Sequence, residues 1–262
     1  MNKKKINHVV ISIITLLFFI LIWQIIAGLN LSSVIPTPLE VLKAFIDFSI
    51  EGDNFGYNFI DHISASLLRV ILGFYFAFII TVPLGLFMGL SKKIESVFNP
   101  LIEIFRPIPP FAWIPFALVF FGLGLISQSF IIFIGAFFPI LTNTLKGVQE
   151  TSKIHIDVAK TLGASRSDTI VHVILPSTLP SILVGTRIGL GVGWMCVIAA
   201  ELVGLNTPVG LGYLIQYSAQ FGNFGLSFSA MLLTGLIGFG INFIIKLIEN
   251  YALRWRDTIA TN

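Results

Sequence analysis

Six stretches of the chain, residues 9–29, 67–90, 101–125, 130–145, 179–203 and 226–248, are almost wholly apolar, and polar residues collect in the segments between them. A helix needs roughly 20 apolar residues to cross the hydrocarbon core of a bilayer, because without water every backbone N–H and C=O must be satisfied within the segment. The pattern therefore predicts an all-α membrane protein with about six transmembrane helices. The first stretch follows Lys3, Lys4 and Lys5, as in a cleaved signal peptide. It is longer than a typical signal-peptide core and no small-residue cleavage site follows it cleanly, so it is read as a helix of the mature protein.

Composition points the same way. Of 262 residues, 55% are hydrophobic and 11% charged, and the mean hydropathy is +0.92. A soluble domain carries roughly a quarter charged residues. The net charge of +3 is scattered in short clusters rather than gathered on one face, which excludes a nucleic-acid partner. Cys196, the single cysteine, sits in an apolar run, so neither a disulfide framework nor a cysteine metal site is implied. No soluble domain or low-complexity linker interrupts the pattern, and residues 1–262 read as one transmembrane domain.

The clusters report topology. With six spans, the N-terminal lysines, Lys92 and Lys93, the group Lys153, Lys160 and Arg166, and Arg254 with Arg256 all fall on one side. The positive-inside rule makes that side, and both termini, cytoplasmic. The opposite side holds residues 30–66, where Glu40, Asp47, Glu51, Asp53 and Asp61 outweigh Lys43, and the uncharged residues 204–225. After Pro36, Thr37 and Pro38, the residues Leu39, Leu42, Phe45 and Ile46 recur at helical spacing. They predict a short amphipathic helix, lying on the membrane surface or packed on other helices.

The longest cytoplasmic segment, about 148–178, is the most organised. Ile154, Val158 and Thr161 or Leu162 keep helical spacing up to Gly163, a helix stop. Ser165 then caps a second helix, with Asp168 completing a capping box. Pro176 and Pro180 mark where that helix must stop or kink.

Here the sequence resembles the permease subunits of bacterial ABC importers. Their cytoplasmic signature, Glu-Ala-Ala, three residues, Gly, then Leu-Pro downstream, reads in this chain as Asp157-Val158-Ala159, Lys160-Thr161-Leu162, Gly163 and Leu175-Pro176. The run from Arg106 to Pro115 with Phe121-Gly122-Leu123-Gly124, and Ala200-Glu201-Leu202 followed by Gly210-Leu211-Gly212, look like the nitrate, sulfonate, taurine and bicarbonate branch. The resemblance implies a type I importer permease with a coupling helix between spans four and five, where Asp157, Ala159, Leu162, Gly163, Ala164 and Ser165 meet the ATPase. It implies a homodimer or pseudo-dimer in the plasma or inner membrane, two copies of a cytoplasmic ATPase subunit, an extracytoplasmic binding protein, and no cofactor. A small anion is the expected substrate, with a vitamin precursor as alternative. No Gly-x-x-x-x-Gly-Lys-[Ser/Thr] phosphate loop occurs in the chain, so ATP hydrolysis is expected on another polypeptide.

Ionisable residues at membrane depth are costly and mark candidate sites. Glu103 and Arg106, three apart, share a helix face and suit an ion pair. Arg187 lies two turns into the fifth span, and Glu201 near its outer end is placed to hold the adjoining loop. Prolines at 107, 109, 110 and 115 predict a break near the start of the third span. Broken backbone at this depth is tolerated where it lines a cavity, so Arg106, Pro109 and Trp113, with Arg187 and Glu201, are the candidate pathway residues. Gly185, Gly189 and Gly193 permit close helix contact, either at a dimer interface or within one subunit. An ion-coupled secondary transporter, the rival class, would need a midplane acid and often shows internal repeats; neither is evident.

Overall fold

The computed structural model describes residues 3–29, 34–203 and 208–254. Arg256 and the first four residues of the second outer segment, 204–207, lie outside them. The N-terminal helix α1 (Lys3–Gly28) is apolar on all sides and exposed along most of the length whose side chains are described, as suits a lipid-facing span. Its tie to the rest runs through Trp23, whose Nε1–H donates to Pro36 O at 3.0 Å.

Thr37 starts α2 (Pro38–Glu51) with a capping box closed by Glu40. This helix packs on other helices by one face and leaves a second apolar face exposed. Val41 and Phe48 are buried and Phe45 stacks on Phe59, whereas Leu39, Leu42, Ile46 and Ile50 stay exposed on another face. Asn58 caps α3 (Phe59–Leu90), which begins two turns before the predicted second span.

The third span is broken, as the prolines require. Helix α4 (Lys92–Phe105) ends at Arg106, a 3-10 turn occupies Pro110–Trp113, and α5 (Ile114–Phe121) follows at 90° to α4. Pro107, Pro109 and Pro110 lack the N–H donors that would carry the helix through this stretch. Counted with that bent pair, the described residues hold six candidate spans.

Helix α6 (Leu125–Gln149) packs between α3 and the fifth span, α9 (Leu175–Val203), around the buried Ile132, Ala136 and Ile140. The glycine stripe of α9 makes this contact. A Cβ on Gly185 would lie 2.8 Å from Asn143 Cβ, and one on Gly189 2.9 Å from Ile140 Cγ1. A Cβ on Gly193 would meet Ile132 Cγ2 at 3.1 Å. These glycines therefore pack within one subunit, because close backbone approach supplies the dispersion contact that lipid cannot drive by exclusion.

Helix α9 does not begin at a proline stop. Helix α7 (Lys153–Thr161) leads through a turn into α8 (Arg166–Thr169), then a π turn at Ile170–Ile174, and α9 continues past Pro176 and Pro180. The sequence reading expected a stop or kink there. The wide turn instead lies just upstream of Pro176, where Leu175 N–H reaches Ile170 O, and Arg166–Val203 forms one 38-residue helix. A buried helix that the sequence did not reveal, α10 (Leu211–Gln220), precedes the last span, α11 (Phe224–Ala252).

Candidate functional site

The turn between α7 and α8 satisfies its own backbone. Gly163 N–H donates to Lys160 O and Ala164 N–H to Ala159 O, the paired bonds of a Schellman motif, with Gly163 at φ +83°. Two residues on, Ser165 N–H donates to Asp168 Oδ2 and Asp168 N–H to Ser165 Oγ, each at 3.1 Å. The result is a rigid corner with both helix ends capped. No residue of α7 is buried, and Ile154, Val158 and Leu162, which is 82% exposed, form an apolar stripe covered by no other part of the described chain. The Asp157 side chain is exposed beside that stripe.

At the break in the third span lies an open cavity of about 370 Å³. Arg106, Ile108 and Pro110 form one side, and Asn143, Ile188 and Val192 of α6 and α9 the other. Arg106 is exposed and has no carboxylate partner among the described residues. The expected Glu103–Arg106 pair is not made. Glu103 Oε1 instead accepts from Asn99 Nδ2 one turn earlier, while Arg106, still helical at the end of α4, borders the cavity. Pro109 and Trp113 belong to the same break but do not line the cavity. Trp113 packs its ring against Phe105 and Phe116, with its Nε1–H buried and unpaired.

The other two candidate charges are neutralised. Arg187 Nη1 lies 2.8 Å from Glu249 Oε2, joining α9 to the end of α11. Glu201 is buried and accepts from Arg69 at 2.8 Å, from Ser66 and from Gly212 N–H. Arg69 also donates to Val209 O, and Leu211 N–H to Ser66 Oγ, so the loop entering α10 hangs on this cluster. Sequence reasoning placed Glu201 against that loop but missed Arg69, Ser66 and His62. The available signal was two opposite charges near the same end of different spans.

His62 extends the cluster: Nδ1 lies 3.0 Å from both N and O of Gly210, and Nε2 lies 3.5 Å from Asp53 Oδ2. Pathway candidates thus separate into one unpaired cation at a cavity and two structural ion pairs.

The family described as binding-protein-dependent transport system inner membrane component matches residues 81–256. A putative ABC transporter permease protein of Methanocaldococcus jannaschii is 40% identical, covering 90% of this chain and 88% of its own. The taurine transport system permease protein TauC of Escherichia coli is 32% identical, covering 97% and 92%. The bicarbonate transport system permease protein CmpB of Synechococcus elongatus is 31% identical, covering 96% and 92%. Among solved structures, an inward-facing conformation of the MetNI methionine ABC transporter aligns with a TM-score of 0.62 at 22% identity, over 74% of this chain and 95% of that one, a likeness of fold.

Proposed function

The chain belongs to the family of binding-protein-dependent transport system inner membrane components, the permease subunits of ABC importers, and on that premise we propose that it provides the passage for a small oxyanion such as a sulfonate or bicarbonate. The observation that carries the substrate class is Arg106. Arg69 and Arg187 each face a carboxylate at 2.8 Å, whereas Arg106 borders the cavity at the broken span without one. An unpaired guanidinium at the wall of a cavity attracts an anion and offers it two parallel N–H donors. The substrates for which two relatives are named, taurine and bicarbonate, share an anionic oxygen-bearing head group.

In this reading Arg106, Pro109 and Trp113 shape the passage, while Arg187 and Glu201 hold its fifth-span wall through their partners. Asp157, Ala159, Leu162, Gly163, Ala164 and Ser165 present the α7–α8 corner to an ATP-hydrolysing subunit on a separate polypeptide. The exposed stripe Ile154, Val158 and Leu162 supports that docking, since a short helix laid in a partner's groove buries such a face. Two copies of this chain, both with cytoplasmic termini, and two ATPase subunits form the assembly. A binding protein delivers substrate from outside. ATP and the loaded binding protein favour the outward-open state, and their release the inward-open one.

Reconstitution in proteoliposomes tests the reading. ATP-dependent, binding-protein-dependent uptake of labelled taurine, another alkylsulfonate or bicarbonate is expected, and it should fall sharply in Arg106→Ala. Uptake driven by an ion gradient without ATP would overturn it.

A further inference from the structure

An open bowl of about 910 Å³ lies where α2, α10 and the start of α11 meet, away from the broken span. Its α2 wall is built by Glu40, Lys43, Asp47 and Glu51, which follow one another at helical spacing on a single face, and Asp53 and Asn54 complete the rim. The bowl therefore gathers four carboxylates against one ammonium.

Two of the acids are already engaged. Glu40 accepts from Thr37 N–H, and Asp53 accepts from Phe55 and Tyr57 N–H while facing His62. Asp47 and Glu51 are exposed and have no partner among the described residues. Across the bowl Ser218 adds a second, independent indication. It lines the cavity, is 2% exposed, and its hydroxyl has no hydrogen-bond partner. A buried hydroxyl left in that state is unfavourable, and a polar group entering the bowl would satisfy it once the side chain turns outward.

The charge decides what that group is. A surplus of carboxylates repels an anionic cargo, so the transported substrate is not the occupant. We infer that the bowl seats a lysine or arginine side chain projecting from the extracytoplasmic binding protein, with Asp47 and Glu51 as its charge partners. The inference rests on the importer reading above, which places this face outside the membrane. It also gives docking a route inward. Asp53 on the rim is linked through His62 to Gly210, which adjoins the Glu201–Arg69 cluster on the fifth span.

A photocrosslinking amino acid placed at Asn54 in intact cells tests this, with a second at Leu162 as internal reference. The expected adduct from position 54 is a binding protein, joined through a segment that carries Lys or Arg. The double variant Asp47→Lys, Glu51→Lys should cut its yield about tenfold or more, and reversing the partner's base to Glu should restore it. A Glu51→Gln variant should give an intermediate loss that grows smaller as salt is raised. An adduct only with a second copy of this chain or with lipid, or an unchanged yield in the reversed variant, would overturn the assignment. The Leu162 adduct with an ATPase subunit, together with ATP-dependent uptake, separates the two layers. If these persist while the position-54 adduct is missing, the bowl is wrongly assigned; if they too are absent, the importer reading falls and takes the bowl with it.

Discussion

Arg69 Nη1 and Glu201 Oε1 meet at 2.8 Å although 132 residues separate them, with both side chains almost fully removed from solvent. The pair ties α3 to the C-terminal end of α9. It also fixes the loop that enters α10, because Glu201 accepts from Gly212 N–H and Arg69 donates to Val209 O. A Cβ on Gly210 would lie 2.6 Å from the Glu201 carboxyl carbon, so even that backbone passes in contact with the pair.

Removing one member of such a pair is expected to cost about 3–5 kcal/mol, since the other charge is left buried alone. Glu201→Met and Arg69→Met should each lower the midpoint of thermal unfolding in detergent. The double variant Arg69→Met, Glu201→Met should recover much of the loss. A double variant as unstable as the sum of the singles would show that no such coupling exists.

Gly163→Val should be made, inserted and dimeric, yet lose ATPase association or substrate-stimulated hydrolysis. At φ +83° a β-branched residue is strained by on the order of 1 kcal/mol or more, and the Schellman bonds loosen with it. Nothing lies within 4 Å of a Cβ there, so the effect is on the corner's shape and not on packing inside this chain. Pull-down of the ATPase subunit measures it, and normal association with normal uptake would make the corner a mere connector.

Arg106→Ala should reduce anion uptake by tenfold or more, and Arg106→Lys should restore part of it, because an ammonium keeps the charge but not the bidentate fork. Expression and dimer formation should be unaffected, since the side chain is exposed and makes no ion pair. Wild-type kinetics in Arg106→Ala would remove it from the pathway.

A cysteine at Asn54 is expected to react with a membrane-impermeant maleimide in intact cells, and one at Lys160 only after permeabilisation. The native Cys196 is buried, so the background should be low. The reverse pattern would invert the topology.

Gly189→Leu is expected to destabilise the chain by about 1–3 kcal/mol through overpacking against α6, where a Cβ already lies 2.9 Å from Ile140. Gly191→Leu, two residues on, meets nothing within 4 Å and should be nearly neutral in stability. Comparing the two by thermal unfolding distinguishes packing within the subunit from a general intolerance of bulk in α9.

Spans and caps were legible because their signals are local. Apolar run length located the helices, the prolines at 107, 109 and 110 located the break, and Gly163 with Ser165 and Asp168 specified the corner down to its hydrogen bonds. The Arg69–Glu201 pair was not legible, since no periodicity links residues on different helices. Nor was the continuation through Pro176 and Pro180, which depends on a π turn that no residue type announces. Helix α10 escaped for another reason: it buries Leu211, Leu214, Ile215 and Ser218 yet is short and uncharged, so it shows neither a charged face nor the length of a span. Glu103 had a choice of neighbours within one turn, Asn99 or Arg106, and helical spacing alone does not decide between them.

The unbroken helix Arg166–Val203 makes a lever of the fifth span. Its 38 residues amount to about 57 Å at roughly 1.5 Å per residue, longer than a bilayer's core is thick. One end is anchored to the α7–α8 corner and the other to Arg69. Pivoting about its middle by roughly 10°, such a rod would carry its two ends about 5 Å in opposite directions. The π turn at Ile170–Ile174 lies near the end beside the α7–α8 corner, and shortening it by one residue would turn every side chain beyond it by about 100° relative to the corner.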